Sequence, residues 1–223
     1  MLGTVTQANT TTGGRGWFGT VGGGCDYQFG TGPGFFNNLL IGAFADYSFT
    51  DVNGTYTTHG FNFNDGSAEI VSGRMKMTDN WAVGGRLGWV VVPQFMTYIN
   101  AGYTEARFDG INFANTSAPF IGVNSALALA SQTHKGWFVG GGTEYAFNFL
   151  PGLFLRSEYR YSTFDGQSNG LNCLGPSGAG PVPSCAVAGP SGWTERSTVH
   201  SQMIKTELVW RFNFGGAPLV AKY

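Results

Sequence analysis

The sequence predicts an all-β fold, an antiparallel transmembrane β-barrel, from three observations. Charged residues make up 11% of the 223 residues, far below the ~25% of soluble domains. Glycine occurs 36 times, and aromatic residues reach 15%. The longest apolar run, LGWVVVP at 87–93, has the length of a strand, whereas a membrane helix needs about 18 or more such residues. A barrel reconciles all three, because its apolar and polar residues alternate along each strand.

One sequence pattern occurs twice in similar form, as GWFGTVGGGCDYQF at 16–29 and as GWFVGGGTEYAF at 136–147. Neither copy has the spacing of a phosphate-binding loop, and turn sequences rather than helical patterns follow both. With period two, Trp17 and Tyr27 share an apolar face, while Asp26 lies on a face of small and polar residues. The ten residue-to-residue steps from Trp17 to Tyr27 rise about 25 Å at ~3.3 Å per residue and a tilt near 40°, which matches a lipid-facing band. Both copies are therefore predicted to span a membrane.

The alternation also predicts two belts of outward aromatic side chains at the membrane interfaces. The same acid-Tyr-x-aromatic signature recurs as DYSF at 46–49 and EYRY at 158–161, with the acid on the inner face each time. The predicted aromatic girdle is Trp17, Tyr27, Phe29, Tyr47, Phe49, Trp81, Trp89, Trp137, Tyr145, Phe147, Tyr159, Tyr161, Trp210 and Phe212.

Seven strands can be placed, at 16–29, 38–50, 75–91, 95–108, 133–147, 153–164 and 198–214. Short turns at 30–37, 92–94 and 148–152 alternate with long polar loops at 51–74, 109–132 and 165–197. Short periplasmic turns and long external loops are typical of outer-membrane barrels. Residues 1–15 are then the remnant of a first external loop, 16–214 the barrel and 215–223 a C-terminal tail.

An odd number of strands conflicts with the even number found in single-chain bacterial barrels. Eight strands are therefore expected, with one lying between 16–29 and 198–214. It can come from sequence upstream of Met1, from residues 2–10, or from a second copy of the chain. The upstream strand is the preferred interpretation.

Four segments carry a family resemblance: GWFGTVGGGCDYQF, LLIGAFADYSF, NWAVGGRLGWVV and LVWRFNFGG. They resemble the small outer-membrane β-barrel proteins of alpha-proteobacteria, the rhizobial and brucella-type proteins of the porin-like superfamily. The resemblance implies location in the bacterial outer membrane, among lipopolysaccharide and phospholipid, and no shared catalytic motif. Members of that family carry a signal peptide and a first strand that this sequence does not show.

Ten charged residues fall on the inner face of the predicted strands, five acids and five bases. An eight-stranded barrel is just wide enough for side chains to fill it, and unpaired charges inside would be costly. A paired network that plugs the lumen is therefore favoured over an ion path or gate. The network comprises Asp26, Asp46, Arg86, Glu144, Arg156, Glu158, Arg160, Lys205, Glu207 and Arg211.

One strand breaks the pattern, because Glu105 and Arg107 share the outward parity of Ile99 and Tyr103. This predicts either a bulge or an early exit of strand 95–108 from the membrane.

Two of the three cysteines, Cys173 and Cys185, flank a Gly/Pro-rich external loop. In an oxidising setting they predict a disulfide worth about 3 kcal/mol in the chain-entropy model. Cys25 lies on the lipid-facing parity and is expected to be unpaired.

The function predicted is structural: a non-catalytic outer-membrane barrel that supports membrane integrity and carries surface-exposed loops, with a minor porin-like permeability left open. A narrow pore is one alternative, and an outer-membrane lipid acyl hydrolase or transferase is the other. The enzyme would need His134 with Ser131, or His200 with Ser201, and no third orienting group is identifiable. The sequence offers no cofactor motif, no metal-ligand spacing and no basic patch for nucleic acid. Expected partners are outer-membrane lipids, with a neighbouring membrane protein or a second copy left open.

Overall fold

The computed structural model of this chain describes residues 11–30, 38–61, 68–116, 124–174 and 189–212. These residues form one sheet in which every paired strand is antiparallel. The strands are β1 (Gly14–Gln28), β2 (Leu39–Phe61), β3 (Ala68–Val92), β4 (Phe95–Phe108), β5 (Ile111–Asn115), β6 (Asn124–Leu129), β7 (Gln132–Ala146), β8 (Leu153–Cys173) and β9 (Gly189–Trp210). In this part of the chain, no helix is long and apolar enough to cross a membrane.

Seven of the nine strands pair consecutively, and the other two extend this series outward. The main order is β1-β2-β3-β4-β7-β8-β9, so each predicted strand has its counterpart. The remaining hairpin, β5 and β6, continues β4 and β7 outward after short interruptions and pairs in turn with β3 and β8. The predicted antiparallel all-β fold is confirmed, and the sheet curls so that inward side chains of β1 and β2 contact those of β3, β7, β8 and β9.

The prediction of long irregular loops was wrong for much of 51–74, 109–132 and 165–197. There β2 and β3 form a hairpin out to Phe61 and Ala68, β8 and β9 pair as far as Cys173 and Gly189, and β5 and β6 fill the space between. Outside the lipid, the outward face of a strand has no need of apolar residues. The alternation that reveals a membrane strand therefore disappears, although the ladder of backbone hydrogen bonds continues.

An apolar core explains why these extensions are ordered. Val71, Ile111, Phe113, Leu127, Leu129, Leu171 and Cys173 pack together inside them, with Tyr56 and Met75 against their edge. Below lies a second cluster of Met77, Ala106, Phe108 and Phe164. Apolar side chains of these two clusters therefore occupy much of the lumen from the outer membrane interface upward.

Glycines of β3 and β4 make room inside the sheet for a phenylalanine of β7. Phe138, 1% exposed, lies where side chains at Gly84 and Gly102 would otherwise stand: a Cβ on Gly84 would be 2.8 Å from the Phe138 ring. Gly85, the outward neighbour of Gly84, has its nearest atom at 3.7 Å. The glycines are therefore needed on the inner face, where large side chains cross a narrow lumen.

The outermost strands, β1 and β9, have no recorded pairing with each other in the described part of the chain. Because neighbouring strands alternate in direction along the series of seven from β1 to β9, β1 and β9 both run from the external to the periplasmic end. Above the membrane, Glu195 of β9 reaches β2, where it accepts hydrogen bonds from Tyr56 Oη at 2.7 Å and Thr58 Oγ1 at 2.5 Å. Burial, together with this carboxylate, raises the pKa of Tyr56. The expected eighth strand lies outside the described residues and stays a prediction.

Candidate functional site

The candidate site is the charge network in the periplasmic half of the lumen. The register of the strands places opposite charges directly across from each other: Glu144 faces Arg156, Arg156 faces Glu207, and Glu158 faces Lys205. Each of these residues is on the inward parity of its strand. The pairs are therefore a consequence of alternation combined with register.

The upper part of the network surrounds Asp46 and Glu158. Arg160 donates to both carboxylate oxygens of Asp46, with Nη1 3.0 Å from Oδ1 and Nη2 2.6 Å from Oδ2, and its Nη2 lies 2.8 Å from Glu158 Oε1. Lys205 Nζ lies 3.2 Å from Asp46 and 3.5 Å from Glu158. All four side chains are buried, so two acids and two bases neutralise one another away from water.

The lower part is centred on Glu144, which is buried among three arginines. Its Oε2 lies 3.1 Å from Arg156 Nε and 3.4 Å from Arg86 Nη1, and its Oε1 accepts from Arg211 Nη2. Arg86 also donates two hydrogen bonds to Asp26, with Nε 2.6 Å from Oδ1. This arrangement draws β1, β3, β7, β8 and the end of β9 together across the lumen.

Glu207 joins the two parts. It lies 3.1 Å from Lys205 Nζ and 3.7 Å from Arg156 Nη1. Every one of the ten charged residues predicted to face inward is thus a member of one connected network. Burying an ion pair costs desolvation, which is offset only when further hydrogen bonds and charges surround it, as they do here.

Sequence reasoning missed the aromatic residues that complete the network. Tyr98 donates to Glu158 Oε2 at 2.9 Å, and the guanidinium groups of Arg86 and Arg156 lie 5.7 and 5.9 Å from its ring centroid. Arg160 lies 4.4 Å from the Phe138 ring centroid, a distance suited to a cation–π contact. Inward parity alone could have identified Tyr98, because it stands between Met96 and Asn100 on the same face.

A polar layer separates the network from the apolar clusters above it. Asn80 Nδ2 donates to Thr104 Oγ1 at 2.7 Å, and Thr20 and Ser48 share a hydrogen bond of 2.8 Å. Asn100, just above the network, is buried with neither amide atom hydrogen-bonded. The lumen therefore contains charged, polar and apolar layers in succession.

The fourteen residues of the predicted girdle all lie on the outer surface, exposed or half-buried. Several meet in pairs, such as Tyr47 with Phe49 at 4.9 Å and Tyr27 with Phe29 at 5.3 Å between ring centroids. Glu105 and Arg107 lie on β4 beyond Tyr103 and pair with Lys135 and Asp79 at 3.7 Å each. The strand remains in register with β7 there, while its pairing with β3 shifts between Asp79 and Met77, opposite Arg107 and Phe108. The predicted irregularity is therefore present, as a shift in the pairing of β4 with β3.

The residues suggested for lipid hydrolysis are not brought together. His134 is buried and faces inward, where its Nε2 lies 3.1 Å from Gln132 and its ring packs against Phe108. Ser131 is exposed. His200 contacts Tyr161 and Thr163 on the outer surface. Within the described ranges, no group of three or more His, Cys, Asp or Glu residues could hold a metal ion.

The cysteines are only partly covered by the structure. Cys25 is a free, exposed thiol on β1. Cys173 ends β8 and is buried in the outer apolar core. Cys185 lies outside the described residues, so the bridge between Cys173 and Cys185 stays a prediction.

A curled antiparallel sheet with an outward aromatic surface and an ion-paired interior defines a transmembrane β-barrel. The chain matches the family model of the outer membrane protein beta-barrel domain over residues 1–212 and belongs to that family. It is accordingly a protein of the bacterial outer membrane. No curated protein and no solved structure matches the chain.

Proposed function

We propose that this protein is a structural, non-catalytic and non-conducting barrel of the outer membrane. The observation that carries the proposal is the succession of layers of side chains that occupies the lumen. Ion pairs occupy its periplasmic half, Phe138 and a polar layer lie above them, and two apolar clusters fill the outer part. A hydrated ion crossing such a lumen would have to displace buried salt bridges and then enter apolar packing, which is costly at both steps.

Conductance in a planar lipid bilayer tests the proposal. The purified barrel is expected to give no steady, ion-selective openings. Arg160→Ala, which removes the arginine between Asp46 and Phe138, serves as a sensitised variant. Steady openings in the unmodified protein whose ion selectivity changes in this variant would establish the pore instead.

A lipid hydrolase or transferase is the competing class, and a direct assay separates it from the structural role. The barrel is incubated with lipopolysaccharide or with phospholipid, and released acyl chains are measured. We expect none above the rate of a heat-unfolded sample. Release that disappears in His134→Ala would overturn the proposal.

The proposal also implies which lipids surround the protein. The outward aromatic belts suit lipopolysaccharide in the outer leaflet and phospholipid in the inner leaflet, and the ordered external hairpins suit a surface-exposed role. An alpha-proteobacterial relationship, inferred from the sequence segments GWFGTVGGGCDYQF and LVWRFNFGG, belongs to this proposal as well.

A further inference from the structure

The two ends of the barrel differ in charge on their outer surfaces. At the external end, ion pairs join neighbouring strands just beyond the aromatic belt, among them Asp79 with Arg107 and Glu105 with Lys135. By contrast, residues 87–104 and 145–155, which turn at the periplasmic end, contain no Asp, Glu, Lys or Arg. These two segments include the β3–β4 and β7–β8 turns, which lie side by side because β4 pairs with β7.

Apolar side chains project outward from both turns. Val91, Val92, Phe95, Phe147, Phe149 and Leu150, which we call the periplasmic rim, are exposed or half-buried. Phe149 is the most prominent, with 77% of its surface exposed, and Leu150 follows at 41%. In a turn that met only water, side chains of this kind would be an exception.

The β7–β8 turn holds these side chains in a defined geometry. Phe147 N donates to Leu153 O at 3.0 Å and Leu153 N donates to Leu150 O at 3.1 Å, while Gly152 supplies the left-handed φ of +93°. Arg211 N donates to Gly152 O at 2.9 Å, which ties the turn to the end of β9. The exposure of Phe149 is therefore a feature of an ordered turn.

The rim is continuous with the inner aromatic belt. Ring centroids are 5.9 Å apart between Tyr145 and Phe147, and 5.1 Å apart between Phe147 and Phe149. Phe149 lies two residues, about 7 Å of extended chain, beyond Phe147. A membrane-associated element buries its apolar face about 5–10 Å into the boundary between headgroups and acyl chains, so this distance keeps Phe149 within the lipid interface.

We propose that the periplasmic rim is immersed in the inner, phospholipid leaflet, with Phe149 and Leu150 as its anchors. The β7–β8 turn then contacts lipid rather than periplasmic water. Lipid is favoured over a protein partner because the rim offers no charge to orient one, and because it extends a surface that already faces lipid. The inference rests on the location of the chain in the outer membrane and is independent of whether the lumen conducts.

The test measures the depth of a label attached to the turn. In a Cys25→Ser background, which removes the free thiol, Phe149→Cys and Leu150→Cys are labelled without reductant with an environment-sensitive fluorophore. The matched control is Asn148→Cys, the exposed polar neighbour in the same turn, and the background protein serves as the labelling blank. Each variant is folded into phosphatidylethanolamine–phosphatidylglycerol vesicles, and heat-modifiable migration on a gel confirms that it has folded.

Labels at 149 and 150 are expected to emit at shorter wavelength than the label at 148. They should be quenched strongly by nitroxides carried on phospholipid chains and weakly by iodide present on both sides of the membrane. If folded Phe149→Cys and Leu150→Cys are quenched by iodide as readily as Asn148→Cys, the rim faces water and the inference is wrong. In that case the rim would be a surface for a periplasmic protein instead. Conductance of the barrel would not alter either outcome.

Discussion

An ion pair of a guanidinium in the lumen and an ion pair of an ammonium on the outer surface contribute very different amounts to the stability of the fold. Arg86 bridges Asp26 and Glu144 where little water reaches, whereas Lys135 pairs with Glu105 at the exposed outer end of β7. Removing one partner of a buried pair leaves an uncompensated charge and costs about 3–5 kcal/mol. Exposed pairs contribute about 0–1 kcal/mol.

Arg86→Ala is therefore expected to lower the free energy of unfolding by about 3–5 kcal/mol. Lys135→Ala, the matched control, should lower it by no more than about 1 kcal/mol. Urea unfolding in lipid vesicles at pH 7 measures both. Equal, small losses in the two variants would show that the interior charges do not act as a connected network.

Two adjacent glycines of β3 provide a second comparison at this scale. A Cβ on Gly84 would lie 2.5 Å from Ala101 O and 2.8 Å from Phe138 Cζ, while one on Gly85 would have its nearest neighbour at 3.7 Å. Gly84→Ala should destabilise the barrel by about 1–3 kcal/mol, as overpacking does. Gly85→Ala should be neutral or slightly stabilising, because it reduces the entropy of the unfolded chain. A Gly84→Ala variant with unchanged urea midpoint would contradict the tight packing beneath Phe138.

The strands that cross the membrane were predictable because lipid imposes an outward apolar face on them. The pairing of the ten interior charges followed from the same alternation. What alternation cannot supply is register, which decides that Glu144 stands opposite Arg156 rather than one position away. The external hairpins were not predictable in this way, since their outer faces meet water and carry Gly, Asn, Ser and Thr. Their inward apolar residues, such as Ile111 and Phe113, are too few per strand to show a period.

The external end of β7 carries a buried histidine, His134, whose effect on stability as a function of pH can be predicted. His134 lies three residues beyond Trp137, outside the lipid-facing band, and burial lowers its pKa below the ordinary 6.5. The unfolded chain then binds a proton before the folded one does as the pH falls. The contribution of the neutral His134 side chain to the free energy of unfolding is therefore complete above about pH 6.5 and is lost progressively as the pH falls below it.

Between pH 7.5 and 5.5 the free energy of unfolding should therefore decrease, with a slope of at most about 1.4 kcal/mol per pH unit from this group. His134→Gln, which cannot titrate, should show a smaller decrease over the same range. His200→Gln is the matched control, because His200 lies on the outer surface with hydroxyl partners. An identical pH dependence in wild type and His134→Gln would show that the buried imidazole does not contribute.

For the whole molecule, strand direction limits what can lie between β1 and β9. Both strands run from the external to the periplasmic end, so an antiparallel partner for them must run the opposite way. A second copy in the same membrane orientation is related by rotation about the membrane normal, which preserves strand direction. Its β1 or its β9 could pair only in parallel. This argument favours a strand of the same polypeptide over a second copy as the eighth strand.

The stoichiometry of the folded protein tests this choice. A second copy that supplied the eighth strand would make the folded unit a dimer, whereas a strand of the same polypeptide between β1 and β9 leaves it a monomer. We expect the barrel extracted from its native membrane in mild detergent to have the mass of one chain, measured by light scattering with correction for bound detergent. A folded species with the mass of two chains, which heating separates into single chains, would contradict the preference for a strand of the same polypeptide.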